Sequence, residues 1–353
     1  MPPAYLGDVI PDRTLESLQA FSGIKSSIEL ITEYARDIRY NRLKDPFTFR
    51  LDIFENQDAD GLAHYCDGVH FLGLTEGHVF TSSVFSRLLV KTGIAEPDPD
   101  DLKDLNGIGG FPITLSLSAE VFATSETMLE TLRQVTPRKE ANLTYAQFVA
   151  SLCDLFALLH ELAHAVLGHC RYASDTDRLS IFREKSGSTY SADQKILRTL
   201  EFDADWFAAA SLTVNLLQNE APFDGISKYP NDKALMLECI LAALTINTLQ
   251  WNSHAIVTGT RSPSHPHPLT RCTYLLHCAR WSACEHDCLT DQASNDVLNG
   301  FLRKIRRADE YIGDIDQIRN VDENRQEYAT ETGQLAETLG ELRSAGLEDY
   351  HYT

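Results

Sequence analysis

The segment Thr144–Gly168, TYAQFVASLCDLFALLHELAHAVLG, determines the fold that the sequence predicts. Apolar residues recur in it at intervals of three and four, which is the pattern of a helix with one buried face. Thr144 and Gln147 match the capping-box pair that marks a helix start, and Gly168 suits a helix end. We therefore predict a buried helix across this segment, at the centre of the protein.

Two histidines, His160 and His164, lie four residues apart near the end of this helix, with Glu161 between them. Residues four apart share a helix face, so both imidazoles can reach one ion, while Glu161 stands beside that ion, about a third of a turn away. Zinc lowers the pKa of bound water to ~7, and a neighbouring carboxylate can then take its proton and later return it to a leaving amine. We expect one Zn²⁺ per chain, with both histidines as ligands and Glu161 as general base.

A catalytic zinc needs a third protein ligand, and the sequence offers two candidates. His169 follows His164 by five residues and lies about 500° further round the helix, away from the ligand face if the helix continues. Glu201 and Asp205 share one face of a later predicted helix. We expect Glu201 to bind zinc and Asp205 to orient a ligand histidine, whereas Asp203 points elsewhere and should be solvated.

These blocks together resemble the M48-type gluzincin metallopeptidases, whose pattern is HELxHxxxxH, then ExxADxxA, then HPxxxxR. The chain reads HELAH from His160 with His169, EFDADWFA over Glu201–Ala208, and HP at His265 with Arg271. The resemblance implies a zincin-like core that hydrolyses peptide bonds. It also implies the same ligands, His160, His164 and Glu201, with Glu161 as base and Asp205 behind the metal.

The third block, Ser264–Pro268, leaves two interpretations open because it contains both His265 and His267. We favour His265 and Arg271 as residues that line the active site, where Arg271 stabilises the oxyanion or braces the metal helices. The alternative is a proline-rich turn in which Pro268 begins the next helix and Arg271 makes a structural ion pair.

The rest of the chain predicts an α+β, mostly helical fold with a small mixed sheet over the His160 helix. Apolar periodicity or alternation predicts the elements, and a capping pair at Ser191 and Gln194 begins the helix that carries Glu201. The predicted helices are Thr14–Asn41, Gly77–Lys91 and Ala234–Trp251, the last as a core helix, and the predicted strands are Phe47–Ile53, Val69–Leu74 and an edge strand at Ile113–Leu117. A polar loop is expected from Arg171 to Tyr190.

We divide the chain into an N-terminal helix and small-sheet region (1–142), a helical metallopeptidase core (143–300) and an acidic helical tail (301–353). Four cysteines, Cys272, Cys278, Cys284 and Cys288, cluster near two histidines, but they lack a CxxC knuckle. We therefore interpret them as buried helix thiols rather than as a second zinc site.

Charge and composition bear on partners and location. The formal net charge of −20 argues against nucleic acid or an anionic membrane as a partner, because both would be repelled. The start lacks the features of a signal peptide, no apolar run approaches the ~20 residues that cross a bilayer, and the eight cysteines suggest reduced thiols. We expect a cytoplasmic protein.

Among gluzincins, the soluble phage-exclusion peptidases of the Lit type look most similar, because they too lack membrane helices and place a mixed region before the active-site helix. That resemblance implies a role in phage defence. We expect endopeptidase action on an intracellular protein, with an extended substrate strand pairing to the edge near Ile113–Ser118. Two alternatives stay open. One is a regulator that binds a partner through its acidic tail, and the other is a peptidase kept latent by His169, by the loop after Arg171 or by the tail.

Overall fold

The computed structural model describes residues 48–54, 61–94, 125–175, 191–218, 232–258, 265–312 and 325–351. Within these ranges the protein is mostly helical with a small mixed sheet, as the sequence predicts. The predicted helix Thr14–Asn41 and the predicted edge strand Ile113–Leu117 lie outside the described residues.

The sheet contains β1 (Phe49–Phe54), β2 (Gly61–Cys66) and β3 (Val69–Thr75), in the order β1-β3-β2. β1 runs parallel to β3, with Leu51 opposite Leu72, and β2 runs antiparallel to β3. β1 and β3 confirm the predicted strands. β2 was not predicted, although Asp67 and Gly68, both with positive φ, form the tight Asp-Gly turn that is typical of a hairpin.

The helices follow the sheet in chain order. They are α1 (Glu76–Leu89), α2 (Ser125–Val135), α3 (Glu140–Val166), α4 (His169–Asp175), α5 (Ser191–Gln218), α6 (Lys233–Thr258), α7 (Pro268–Glu285), α8 (Asp291–Ile312) and α9 (Arg325–Ser344). A short π-helical turn, Val90–Ile94, extends α1, and a 3-10 turn, Leu347–Tyr350, follows α9. The predicted helices that match α1, α5 and α6 are confirmed in their positions.

α3 is the central helix, and it contacts α1, α5, α6 and the sheet. Its apolar residues from Phe148 to Val166 are buried, which accounts for its composition, and α6 packs beside it as the expected core helix. By length and composition α3 would also suffice to cross a bilayer, but its apolar stretch is entirely buried inside the protein.

The predicted start of α3 at Thr144 is wrong. The helix begins at Glu140, and Lys139 caps it without a side-chain hydrogen bond. The Thr144 hydroxyl donates instead to the Glu140 carbonyl, 2.9 Å away, one turn earlier. Glu140 in the first turn is favoured by the helix dipole, and this favours the longer helix.

The predicted end of α3 at Gly168 is confirmed, and the structure adds an immediate second helix. Gly168 has φ +75°, a conformation that ends a helix, and α4 begins at the next residue. The expected polar loop is therefore wrong at its start, because Arg171 lies within α4. Residues 176–190 of that loop lie outside the described residues.

The C-terminal region packs onto the helices that surround α3. α8 runs without interruption across the boundary placed between residues 300 and 301 and contacts α6 and α7, while α9 contacts α5 and α7. Of the clustered thiols, Cys272, Cys278 and Cys288 are buried and Cys284 is partly buried, which supports their interpretation as structural thiols.

Candidate metal centre

The last turns of α3 present two imidazoles to the same point. His160 and His164 have exposures of only 2% and 4%, and their Nε2 atoms lie 3.1 Å apart. The four-residue spacing puts both on one face of the helix, as the sequence predicts. The two histidines therefore offer a pair of ring nitrogens to one ion.

α5 brings a carboxylate to the same point. Glu201 Oε2 lies 3.1 Å from His160 Nε2, and Glu201 Oε1 lies 3.5 Å from His164 Nε2. Tetrahedral zinc with bonds of about 2.0–2.1 Å separates its ligand atoms by about 3.3 Å. In the described part of the chain, His160, His164 and Glu201 form a buried group able to hold a metal ion, and their separations fit zinc.

Asp205, one turn beyond Glu201, fixes the orientation of His160. Its Oδ1 lies 2.8 Å from His160 Nδ1, which leaves Nε2 of His160 facing Glu201. Arg271 holds the carboxylate with two hydrogen bonds of 2.7 and 2.6 Å, and the Tyr274 hydroxyl donates a third. Asp205 therefore makes the contact with a histidine that its predicted orienting role requires.

Charge and burial set the protonation of this group. Burial would raise the pKa of Asp205, but Arg271 and His160 lower it to about 2. Burial would lower the pKa of His160, but Asp205 and Glu201 raise it to about 9. Burial holds the pKa of His164 well below its ordinary value, so this imidazole is neutral. Without a cation, therefore, the cluster retains a proton on His160.

Glu161 follows His160 on α3 and lies under the start of β2. Its exposure is 7%, and the backbone of Gly61 passes directly over its carboxylate. A Cβ at position 61 would lie 2.1 Å from Glu161 Oε1, so only glycine leaves room for this carboxylate. The sheet therefore confines the predicted general base.

The residues of the third sequence block have different positions: one lies at the metal group, and the others stabilise the structure around it. His265 Nε2 lies 3.3 Å from Glu201 Oε2 and its side chain is 21% exposed, so it reaches the metal group. His267 instead caps α7, with its Nδ1 accepting from the Leu269 amide. Arg271 is fully buried against Asp205, and this position favours a bracing role over contact with a substrate.

His169 lies behind the metal group rather than among its ligands. Because the helix breaks at Gly168, His169 starts α4 and turns its Nδ1 to within 3.0 Å of His164 Nδ1. The expectation that Asp203 is solvated is wrong. Asp203 is 6% exposed, and it contacts His169 at 3.3 Å and Arg343 at 3.0 Å.

Sequence reasoning did not find three of the residues around the site. Tyr274 lies three residues after Arg271 on the same helix face, a spacing that points to a shared target. Gly61 and Arg343 lie far from the motifs in the chain, and no local pattern marks their approach to the site.

We compared the chain with profiles of known protein families, with curated protein sequences and with solved structures, and found no match in any of the three.

Proposed function

We propose that this protein is a zinc-dependent endopeptidase with the zincin-like core of the M48-type gluzincins. The observation that carries the proposal is the convergence of His160, His164 and Glu201 in a buried group, with the buried Glu161 directly after His160 on α3. One class of catalytic zinc site uses two imidazoles and one carboxylate as its protein ligands and leaves the fourth position open for water or substrate.

Each residue around the group has a proposed task. Zinc held by the three ligands would act as a Lewis acid that makes water more acidic and polarises a peptide carbonyl. Glu161 accepts the proton of the attacking water and donates it to the leaving amine, and Gly61 lets the sheet confine that carboxylate without displacing it. Asp205 keeps the Nδ1 proton on His160, and Arg271 keeps Asp205 ionised.

We assign His265 to the substrate side of the site. It is the most exposed of the described histidines beside Glu201, with 21% of its side chain accessible, against 3% for His160 and 5% for His164. A ring N–H at this place can donate to an oxygen that gains negative charge in the transition state. Arg271 cannot do so, because it has no exposed surface.

We place an extended peptide substrate along the edge of the sheet. Within the described residues β2 is an edge strand, and it begins directly above Glu161. Main-chain pairing along a strand edge is a common way to hold an extended peptide. We propose a protein or peptide substrate, in keeping with a net charge of −20 that disfavours nucleic acid.

The test compares wild type with Glu161→Gln in zinc content and in proteolysis of a cell lysate. Glu140→Gln is a matched control, because Glu140 is exposed in the first turn of the same helix. The proposal predicts one zinc per chain in all three proteins and cleavage in all but Glu161→Gln. Zinc without cleavage by the wild type would favour the partner-binding regulator or the latent enzyme, and absence of zinc would refute the site.

A further inference from the structure

A continuous line of polar contacts leads from His164 to the C-terminal helix. His164 Nδ1 lies 3.0 Å from His169 Nδ1, and His169 Nε2 lies 3.3 Å from Asp203 Oδ2. The other oxygen of Asp203 accepts from Arg343 Nη2 at 3.0 Å. His169 has no exposed surface and Asp203 is 6% exposed, so water does not substitute freely for these partners.

The chemistry of these groups allows one direction of donation. Arg343 only donates, and an ionised Asp203 only accepts, so His169 must donate to Asp203 from Nε2. When His169 carries a single N–H, that proton is on Nε2, so its Nδ1 must accept. Its partner is His164 Nδ1, which must donate. The proton of His164 is thus held at Nδ1, and its Nε2 keeps the lone pair that a metal requires.

We propose that His169, Asp203 and Arg343 are positioning residues that hold His164 in its metal-binding tautomer. This inference rests on the proposed function, because it concerns the same metal group. His160 receives the equivalent support from Asp205 through one direct contact of 2.8 Å. For His164 the carboxylate acts at a distance, through the ring of His169.

The line makes α9 a component of the metal centre, because Arg343 belongs to that helix. Further contacts fix the position of residues 325–350 relative to the metal group. The Tyr350 ring packs edge-on against Tyr172 of α4, with centroids 5.6 Å apart, and Tyr350 also lies directly on Gly168. On α7, the Thr270 hydroxyl donates to Glu331 of α9 at 2.5 Å. The tail thus contacts α4 and α7 as well as Asp203.

The first experiment measures zinc affinity by competition with a chromogenic chelator in wild type, Arg343→Met and Glu341→Gln. Glu341 is a matched control, since it also pairs α9 with α5, through Lys195 at 4.0 Å, but both side chains are more than half exposed. Loss of a polar group that bonds directly to a metal ligand costs about 10- to 100-fold in metal affinity. Arg343 acts through Asp203 and His169 and its side chain is 40% exposed, so we expect a loss near the lower end, about 10-fold, in Arg343→Met. In Glu341→Gln we expect less than about 2-fold, because pairs exposed on both sides contribute little.

The second experiment reads the tautomer directly in zinc-free protein, by ¹⁵N NMR of labelled histidine imidazoles. Wild type should show His164 protonated at Nδ1 and His169 protonated at Nε2. In His169→Phe, which keeps an aromatic ring but removes the acceptor, His164 should lose its single tautomer. Thermal unfolding of each variant verifies that it is folded.

The outcomes separate this inference from the proposed function. Equal zinc affinity in Arg343→Met and Glu341→Gln, or His164 protonated at Nε2 in the wild type, would overturn the inference and leave the zinc site intact. A wild type that binds no zinc would end the proposed function, while the NMR experiment would still decide the direction of donation.

Discussion

If the proposed function is right, replacing Gly61 by alanine should lower peptidase activity about 100-fold while leaving the fold and the metal group intact. The new Cβ would lie 2.1 Å from Glu161 Oε1 and 2.8 Å from its Cδ, and real Cβ atoms essentially never approach within 3.0 Å. The carboxylate must therefore retreat by about 0.9 Å at its oxygen. A misplacement of about 1 Å in a catalytic group can lower the rate about 100-fold.

The stability of the Gly61→Ala protein should change little. The atom that must move is the end of a flexible side chain, and alanine in a strand loses less conformational entropy on folding than glycine. We expect the melting temperature to stay within about 2–4 °C of wild type, which corresponds to about 1 kcal/mol. Zinc content should be unchanged, because the three atoms nearest to the new Cβ all belong to Glu161.

The assay is kcat/KM on a peptide substrate selected from lysate cleavage products, measured together with zinc content and thermal unfolding. Gly333→Ala in α9 is the control, since a Cβ there meets nothing within 4 Å. Gly61→Ala should lose about 100-fold in kcat/KM and Gly333→Ala should lose none. Full activity in Gly61→Ala, measured on a folded and zinc-loaded protein, would refute the proposed confinement of Glu161 by β2.

Three further predictions concern the supports of the site. Arg271→Met should lower the free energy of unfolding by about 3–5 kcal/mol, because it leaves the Asp205 charge buried without its main partner. Denaturant titration measures this loss, and a value below about 1 kcal/mol would contradict the prediction. Gly168→Ala should lower the free energy of unfolding by at least about 1–2 kcal/mol, because φ is +75° and the new Cβ would lie 2.3 Å from the Tyr350 carbonyl oxygen. Hydrogen exchange should show faster opening of the C-terminal turn, and unchanged exchange would contradict this packing. Zinc uptake at pH 7 should release about one proton from His160, because the pKa of His160 is raised to about 9 in the zinc-free protein and the proton must leave before zinc binds. Zinc-bound water with a pKa of ~7 would add about half a proton. Calorimetry in buffers of different ionisation enthalpy measures the sum, and a total below about one proton would contradict the raised pKa of His160.

Local sequence patterns predicted much of the site. The four-residue spacings of His160 with His164 and of Glu201 with Asp205 set the faces of two helices, and the structure brings those faces together. The spacing of apolar residues, alternating in strands and recurring every three or four residues in helices, also predicted β1, β3 and the buried helices around α3. These features depend on neighbours within one or two turns, and such neighbours are visible in the chain itself.

Contacts between distant segments were not predictable in the same way. Asp203 has the sequence surroundings of a solvated residue, and only the break at Gly168 and the return of α9 bring His169 and Arg343 to it. The start of α3 was misplaced because Thr144 bonds back to the helix rather than capping it. In both cases a polar residue took a partner that the local pattern did not show.

X-ray absorption at the zinc edge of the purified protein tests the metal assignment most directly. The account predicts one zinc per chain, coordinated only by nitrogen and oxygen at about 2.0–2.1 Å with an imidazole signature, and loss of that signal in Glu201→Ala. Absence of zinc would contradict the account. So would sulfur ligands at about 2.3 Å, because they would place the metal among the cysteines instead of at His160 and His164.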